Sequence, residues 1–190
     1  MFKDLVKQNR SYRGYDPSRK ITEEELLDLV DCARYTPASV NIQPLKYYLA
    51  YQEDTVARIH PLVKWAAALP HLKLPHPGKE PAAYLVICQD TQIHESLTLF
   101  QKDVGITAQT ILLAAAEKGL GGCMIGNFSP EKLSAALSLP ESLIPMLVVA
   151  LGKPDETVII TEVTDGNTKY YRDDNDVHYV PKRKLEDIVL

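Results

Sequence analysis

The chain has 190 residues, 45% of them hydrophobic and 24% charged, with 21 Lys and Arg against 25 Asp and Glu for a formal net charge of −4. That length and balance suit one soluble globular domain with a sizeable core, or one domain plus an arm, and the negative charge argues against a general nucleic-acid surface. The cysteines, Cys32, Cys88 and Cys123, are too widely spaced for a disulfide framework or a metal site, so a reducing cytoplasm is the expected location.

Met1 to Lys7 lacks the apolar stretch of a secretory signal, and no run in the chain approaches the roughly 18 apolar residues of a membrane span. Phe2 to Gln8 reads as a short amphipathic helix that delivers Asn9-Arg10-Ser11-Tyr12-Arg13. Thr22-Glu23-Glu24-Glu25 is a capping box, opening a helix whose apolar face is Leu26, Leu27, Val30 and Ala33, up to Tyr35. Pro37 to Pro44 (PASVNIQP) is closed by prolines at both ends and must be irregular. Leu45 to Gln52 alternates as a strand, and Asp54 to Leu69 is expected to be helical with a bend near Pro61. The proline-rich run Pro70 to Pro81 is a surface loop, and Ala83 to Cys88 a short buried strand.

Ser96 to Lys118 is expected to form one long helix, kept slim by Gly105, Ala108, Ala114, Ala115 and Ala116 and ended by Gly119. Gly121 to Gly126 is a glycine-flanked strand or loop, Ser129-Pro130 starts another helix, and Ile144 to Leu151 is a buried strand. Beyond Lys153-Pro154 the character changes. Asp155 to Leu190 holds a hairpin signal at Asp165-Gly166, an acidic patch and the basic cluster Lys182-Arg183-Lys184. It is too short for a second domain and reads as an arm, giving a core over residues 1–154 and an arm over 155–190.

The chemistry is marked first by what is missing. The five histidines have no metal-ligand spacing, and there is no nucleophile elbow, P-loop or dinucleotide-binding glycine turn ahead of a helix. An enzyme of this composition needs a bound cofactor for the difficult step. Four segments could hold one. Arg10 and Arg13 offer guanidinium forks that match phosphate oxygens, with the Ser11 hydroxyl beside them; the alternative is a solvated turn. Ser39, Asn41 and Gln43 occupy alternate positions of an irregular segment and could meet hydroxyls or a heterocycle edge, or form a plain polar loop. The bare backbone of Gly121 and Gly122 could admit a flat ligand, or serve a tight helix-to-strand turn. Lys182 and Arg183 could meet an anion, or be solvated.

Taken in order, NRSYR, PASVNIQP, Leu120-Gly121-Gly122-Cys123 after a long helix, and the basic tail resemble the nitroreductase family. Its pattern is close to RRSxR, then PSxxNxQPW, then GLGxCW, and the likeness runs from about residue 3 to 152. Asp103 to Gln109 also looks like the family's segment before the glycines. The resemblance implies an α+β fold with a small, mainly antiparallel sheet flanked by helices. It also implies an intertwined homodimer, its C-terminal arms packed on the partner and an FMN site at each half of the interface. It assigns Arg10, Ser11 and Lys182 or Arg183 to the FMN phosphate, and Ser39 and Asn41 to the ribityl chain or phosphate with Gln43 nearby. Arg13 falls to the pyrimidine edge, and the amides about Gly121 and Gly122 to the flavin N5. NADH or NADPH would deliver hydride to N5 and a nitroaromatic, quinone or similar acceptor would remove it, in ping-pong order and with no catalytic side chain. A flavin-binding protein without turnover, or a dimeric scaffold with solvated basic clusters, are the alternatives. Asn9 stands where the family carries its first arginine, Leu45 replaces the aromatic after QP, and Met124 replaces the tryptophan after GLGxC. Trp65 either shapes the flavin face or is a core residue.

Overall fold

A computed structural model describes residues 1–190. Its centre is a sheet of β1 (Leu45–Ala50), β2 (Ala83–Asp90), β3 (Gly121–Ile125) and β4 (Leu143–Gly152), in the order β1-β2-β4-β3 with every pairing antiparallel. The inner strands are covered on both faces, which is why β2 and β4 read as continuous apolar runs. Alternation along β2 divides the core. Leu85 and Ile87 face one cluster, with Leu26 and Leu29 of α2 (Glu23–Arg34) and Ile111 and Leu112 of α4 (Gln101–Glu117). Tyr84, Val86 and Cys88 face the other, with Ile59 of α3 (Glu53–Ile59) and Leu133 and Leu137 of α5 (Pro130–Leu137). The result is the α+β arrangement expected, a small antiparallel sheet between helices.

Local signals place most boundaries. α1 (Phe2–Gln8) forms as expected. Thr22 caps α2: its hydroxyl accepts from the Glu25 N–H at 3.2 Å while the Glu25 carboxylate takes the Thr22 N–H at 3.0 Å. Ser129 caps α5, whose first residue is Pro130. Pro145 lies inside β4 without an N–H to donate, and the β2–β4 register shifts at that point, between Ile87 and Cys88.

Two helices are shorter than the sequence suggests. The one expected over Asp54–Leu69 ends at Ile59 and closes with a 3-10 turn at His60–Leu62, because Pro61 has no N–H to continue the ladder. Val63 then bridges to Phe128. The one expected over Ser96–Lys118 starts only at Gln101. The preceding turns are held by the buried Gln89 side chain, whose Nε2 donates to the carbonyls of His94 and Ser96 at 2.7 and 3.1 Å.

Residues past Pro154 form a second sheet of β5 (Val158–Glu162), β6 (Tyr171–Arg172) and β7 (His178–Lys182), ordered β5-β7-β6. The Asp165-Gly166 turn is present, with φ of 52° and 72° and a bridge from Thr164 to Asn167. It does not make the expected hairpin, because β7 inserts between its flanking strands, parallel to β5 and antiparallel to β6. No helix is long and apolar enough to cross a membrane.

Candidate functional site

The NRSYR segment is pinned beside β3. Asn9 ends α1, its N–H bonded to the Leu5 carbonyl at 2.9 Å. Ser11 then bridges to Gly122 in parallel, and the Tyr12 N–H donates to the Gly122 carbonyl at 3.0 Å. Further on, Asp155 donates to Gly14 and Asp16 to Lys153, so residues 14–16 run against the start of the tail.

These contacts explain the two glycines. A Cβ on Gly121 would lie 2.5 Å from the Tyr12 ring and 2.7 Å from Pro154, and one on Gly122 only 2.1 Å from the Ala150 carbonyl oxygen and 2.7 Å from Leu112. The space their missing side chains leave is filled by the chain itself. The glycines thus allow close packing of NRSYR, β3 and β4.

A cavity of about 300 Å³ opens beside this junction. Arg10, Ser11, Arg13 and Lys182 line it together with Gln109, Leu112, Met124, Tyr170, His178 and Val180. The alternation of β7 selects the tail residues: His178, Val180 and Lys182 share one face, and Arg183 lies beyond the strand. Three cationic side chains and no carboxylate line this cavity, on a chain whose net charge is negative. Leu112, Met124 and Val180 add apolar surface to the same lining.

Arg10 donates to the Val6 carbonyl at 3.0 Å and is half-buried, which lowers its pKa by desolvation. Arg13 is buried; its Nη1 donates to the Ser11 carbonyl at 3.1 Å and stands 3.4 Å from His178 Nε2. Burial first, then the neighbouring Arg13 and Arg172 charges, push the His178 pKa down to about 4, against a pull upward from Asp176. The ring is therefore neutral near pH 7. Arg10 Nε, Arg13 Nε and His178 Nδ1 are buried with no hydrogen-bond partner in the chain. A donor set of this kind, left unsatisfied and with no carboxylate in the cavity lining, suits an oxygen-rich anion.

The segment PASVNIQP lies elsewhere. A short 3-10 turn at Ser39–Asn41 contains Val40 at φ 53°, with Asn41 and Gln43 also at positive φ. Ser39 gives both its N–H and its hydroxyl to the buried Asp103 of α4, at 2.8 and 2.6 Å. Gln43 donates to the Asn41 side chain at 3.0 Å. Gln43 lines a separate cavity with Asp103 and Thr107, whereas Gln109 and Leu112 of the same helix line the NRSYR cavity. Within one chain, the candidate residues thus form two groups on different faces of α4.

Trp65 is half-buried and packs against the core cluster on the far face of the sheet, away from the NRSYR cavity. Sequence reasoning missed Glu156, Tyr170, Arg172 and His178 at the site, and Asp103 behind Ser39. The period of two that puts His178 and Lys182 on one face was the available signal.

The family model that matches this chain is described as the nitroreductase family and spans residues 6–153. A protein of Methanothermobacter thermautotrophicus, provisionally named NADH dehydrogenase/NAD(P)H nitroreductase, is 26% identical over 157 residues, covering 80% of this chain and 77% of its own. The fold matches a solved Staphylococcus epidermidis protein, provisionally named NAD(P)H:FMN oxidoreductase, with a TM-score of 0.73 at 16% identity, over 100% of this chain and 95% of that one. It also matches a provisionally named nitroreductase of Exiguobacterium sibiricum, solved in complex with FMN, with a TM-score of 0.69 at 19% identity, over 82% and 89% of the chains. With its arginine segment, α4 and glycine-flanked strand all inside the matched span, this chain belongs to the nitroreductase family.

Proposed function

We propose that the protein is an FMN-dependent oxidoreductase that takes hydride from NADH or NADPH and passes the electrons to a nitroaromatic, quinone or similar acceptor in ping-pong order. The observation that carries this reading is the cavity beside NRSYR, lined by three cations, no carboxylate and several apolar side chains. FMN has the matching chemistry: an anionic phosphate, a hydroxylated chain and a flat ring. When bound, it supplies the hydride chemistry that the side chains cannot. Family membership and the names of the relatives, which refer to NAD(P)H and FMN, support the same reading.

In this reading Arg10, Ser11 and Lys182 hold the phosphate and Arg13 lies toward the pyrimidine edge, where a fixed cation favours the reduced state. Ser39, Asn41 and Gln43 belong to the same site, supplied by a second copy of the chain. Their distance from the NRSYR cavity within one chain favours that arrangement, as does exposed apolar surface. Val40 is 85% exposed, a Cβ added to Gly105 would meet no atom outside its own helix turn within 4 Å, and Leu185, Ile188 and Val189 at the tail's end are uncovered. The proposed working form is therefore a homodimer.

The test is a titration of the purified protein with FMN, followed anaerobically by NADH or NADPH and then by a panel of acceptors. The expected result is a tightly bound yellow chromophore, bleached by a nicotinamide and restored by an acceptor. A protein that binds no flavin would overturn the reading, and one that binds it without bleaching would reduce it to flavin binding alone.

A further inference from the structure

Arg13 is held from several directions, and most of the contacts come from the tail. Glu156 accepts the Arg13 backbone N–H and also pairs with Arg172, whose side chain is buried with it. The guanidinium faces His178 Nε2 at 3.4 Å and lies 5.0 Å from the centre of the Tyr170 ring. The Tyr170 and His178 rings lean on each other, 5.3 Å between centroids. We propose that His178 and Tyr170 are positioning residues that fix the Arg13 guanidinium without neutralising it, so that its charge stays directed at the flavin. The proposal rests on the FMN reading above.

The choice of groups carries the argument. A carboxylate against the guanidinium would hold it more strongly but would also cancel its charge. Here the carboxylate on hand, Glu156, is committed to the Arg13 backbone and to Arg172. The guanidinium meets only neutral partners: a carbonyl, a ring nitrogen and an aromatic face. His178 is 1% exposed, and its neutral form presents Nε2 as an acceptor with the proton on Nδ1. The arrangement therefore immobilises the guanidinium with no carboxylate in direct contact with it, Glu156 being bonded to the Arg13 backbone and to Arg172, and leaves it able to stabilise a reduced, negatively charged flavin.

The test uses the full-length protein carrying FMN, with His178→Leu, His178→Gln, Tyr170→Leu, Tyr170→Phe and Arg13→Ala. Two quantities are read: the dissociation constant for oxidised FMN by fluorescence, and the midpoint potential of the bound flavin by dye equilibration. His178→Leu and Tyr170→Leu should each lower the potential, equivalent to about tenfold weaker binding of reduced relative to oxidised flavin, the scale of one contact to a charged group. His178→Gln keeps an acceptor and Tyr170→Phe keeps the ring, so both should stay near the wild-type potential. Adding His178→Leu to Arg13→Ala should shift it no further than Arg13→Ala alone. Wild-type potentials in folded His178→Leu and Tyr170→Leu proteins, beside a lowered one in Arg13→Ala, would overturn the proposal. Additive shifts in the double variant would do the same. If His178→Leu does not fold, Tyr170→Leu against Tyr170→Phe decides. Failure of the FMN reading looks different: the wild-type protein binds no flavin, and no potential can be measured.

Discussion

At Gly122 the space for a side chain is already taken. A Cβ there would fall 2.1 Å from a backbone carbonyl of β4, which cannot move without breaking the sheet. Gly122→Val is therefore expected to destabilise the chain by about 2–3 kcal/mol or more, before any effect on flavin; urea unfolding of the flavin-free protein measures it. Arg10→Ala is expected to weaken FMN binding by about ten- to a hundredfold, the worth of about 1.5–3 kcal/mol for a contact to a charged group. Arg13→Ala should act mainly on the reduction potential, and fluorescence titration beside potentiometry separates the two. His178 adds a pH dependence. Its folded pKa of about 4 lies below the ordinary 6.5, so between those values the unfolded chain binds the proton and the folded one does not. The stability tied to this group is complete above about pH 6.5 and is lost as pH falls through about 4. Arg13, Arg172 and Asp176 face the ring, and Glu156, raised by burial, works in the opposite sense. Comparing urea midpoints of wild type and His178→Gln across that range isolates the histidine: the wild type should lose more stability on acidification.

Among the elements, those with a local cause were legible in the sequence. The α2 capping box is made by residues three apart in the chain, and both of its hydrogen bonds form. Thr22→Ala should cost about 1 kcal/mol, read as a shift in the thermal or urea midpoint. Strands β1, β2 and β4 were readable from alternation or unbroken apolar runs. What failed was the length of two helices. Apolar periodicity continues past Pro61, but the missing N–H stops the helix at Ile59. The segment before Gln101 has helix-forming residues, yet its carbonyls are engaged by Gln89 from β2, a contact no local pattern encodes. The tail failed for a related reason. The Asp165-Gly166 turn was readable, whereas the insertion of β7 between β5 and β6 depends on strands brought together from across the tail.

For the whole molecule, the tail and the core make one site. Glu156, His178 and Lys182 all reach the NRSYR segment or its cavity, so truncation after Pro154 is expected to abolish FMN binding. In the dimeric reading it also removes the apolar end, Leu185 to Val189, and should weaken association; sedimentation of the truncated chain checks this. Added FMN should raise the melting temperature of the intact protein, with about 2.7 kcal/mol of stabilisation at a hundredfold excess over Kd. The residue order alone determined the α+β class, the likeness to the nitroreductase family and the types of group a phosphate-bearing cofactor needs. The single elements and the chemistry of the donor groups depend on periodicity, caps and side-chain types that act within a few residues, whereas the α+β class came only as what the family likeness implies. Only the tertiary structure decided that the glycine faces are filled by Tyr12, Pro154, Leu112 and the Ala150 carbonyl. It also decided that Ser39 is tied to Asp103 away from the arginines, and that Lys182, on the face of β7 shared with His178, lines the cavity. A period of two or of 3.6 says which side of an element is buried, but the partner on that side is set by packing between distant segments.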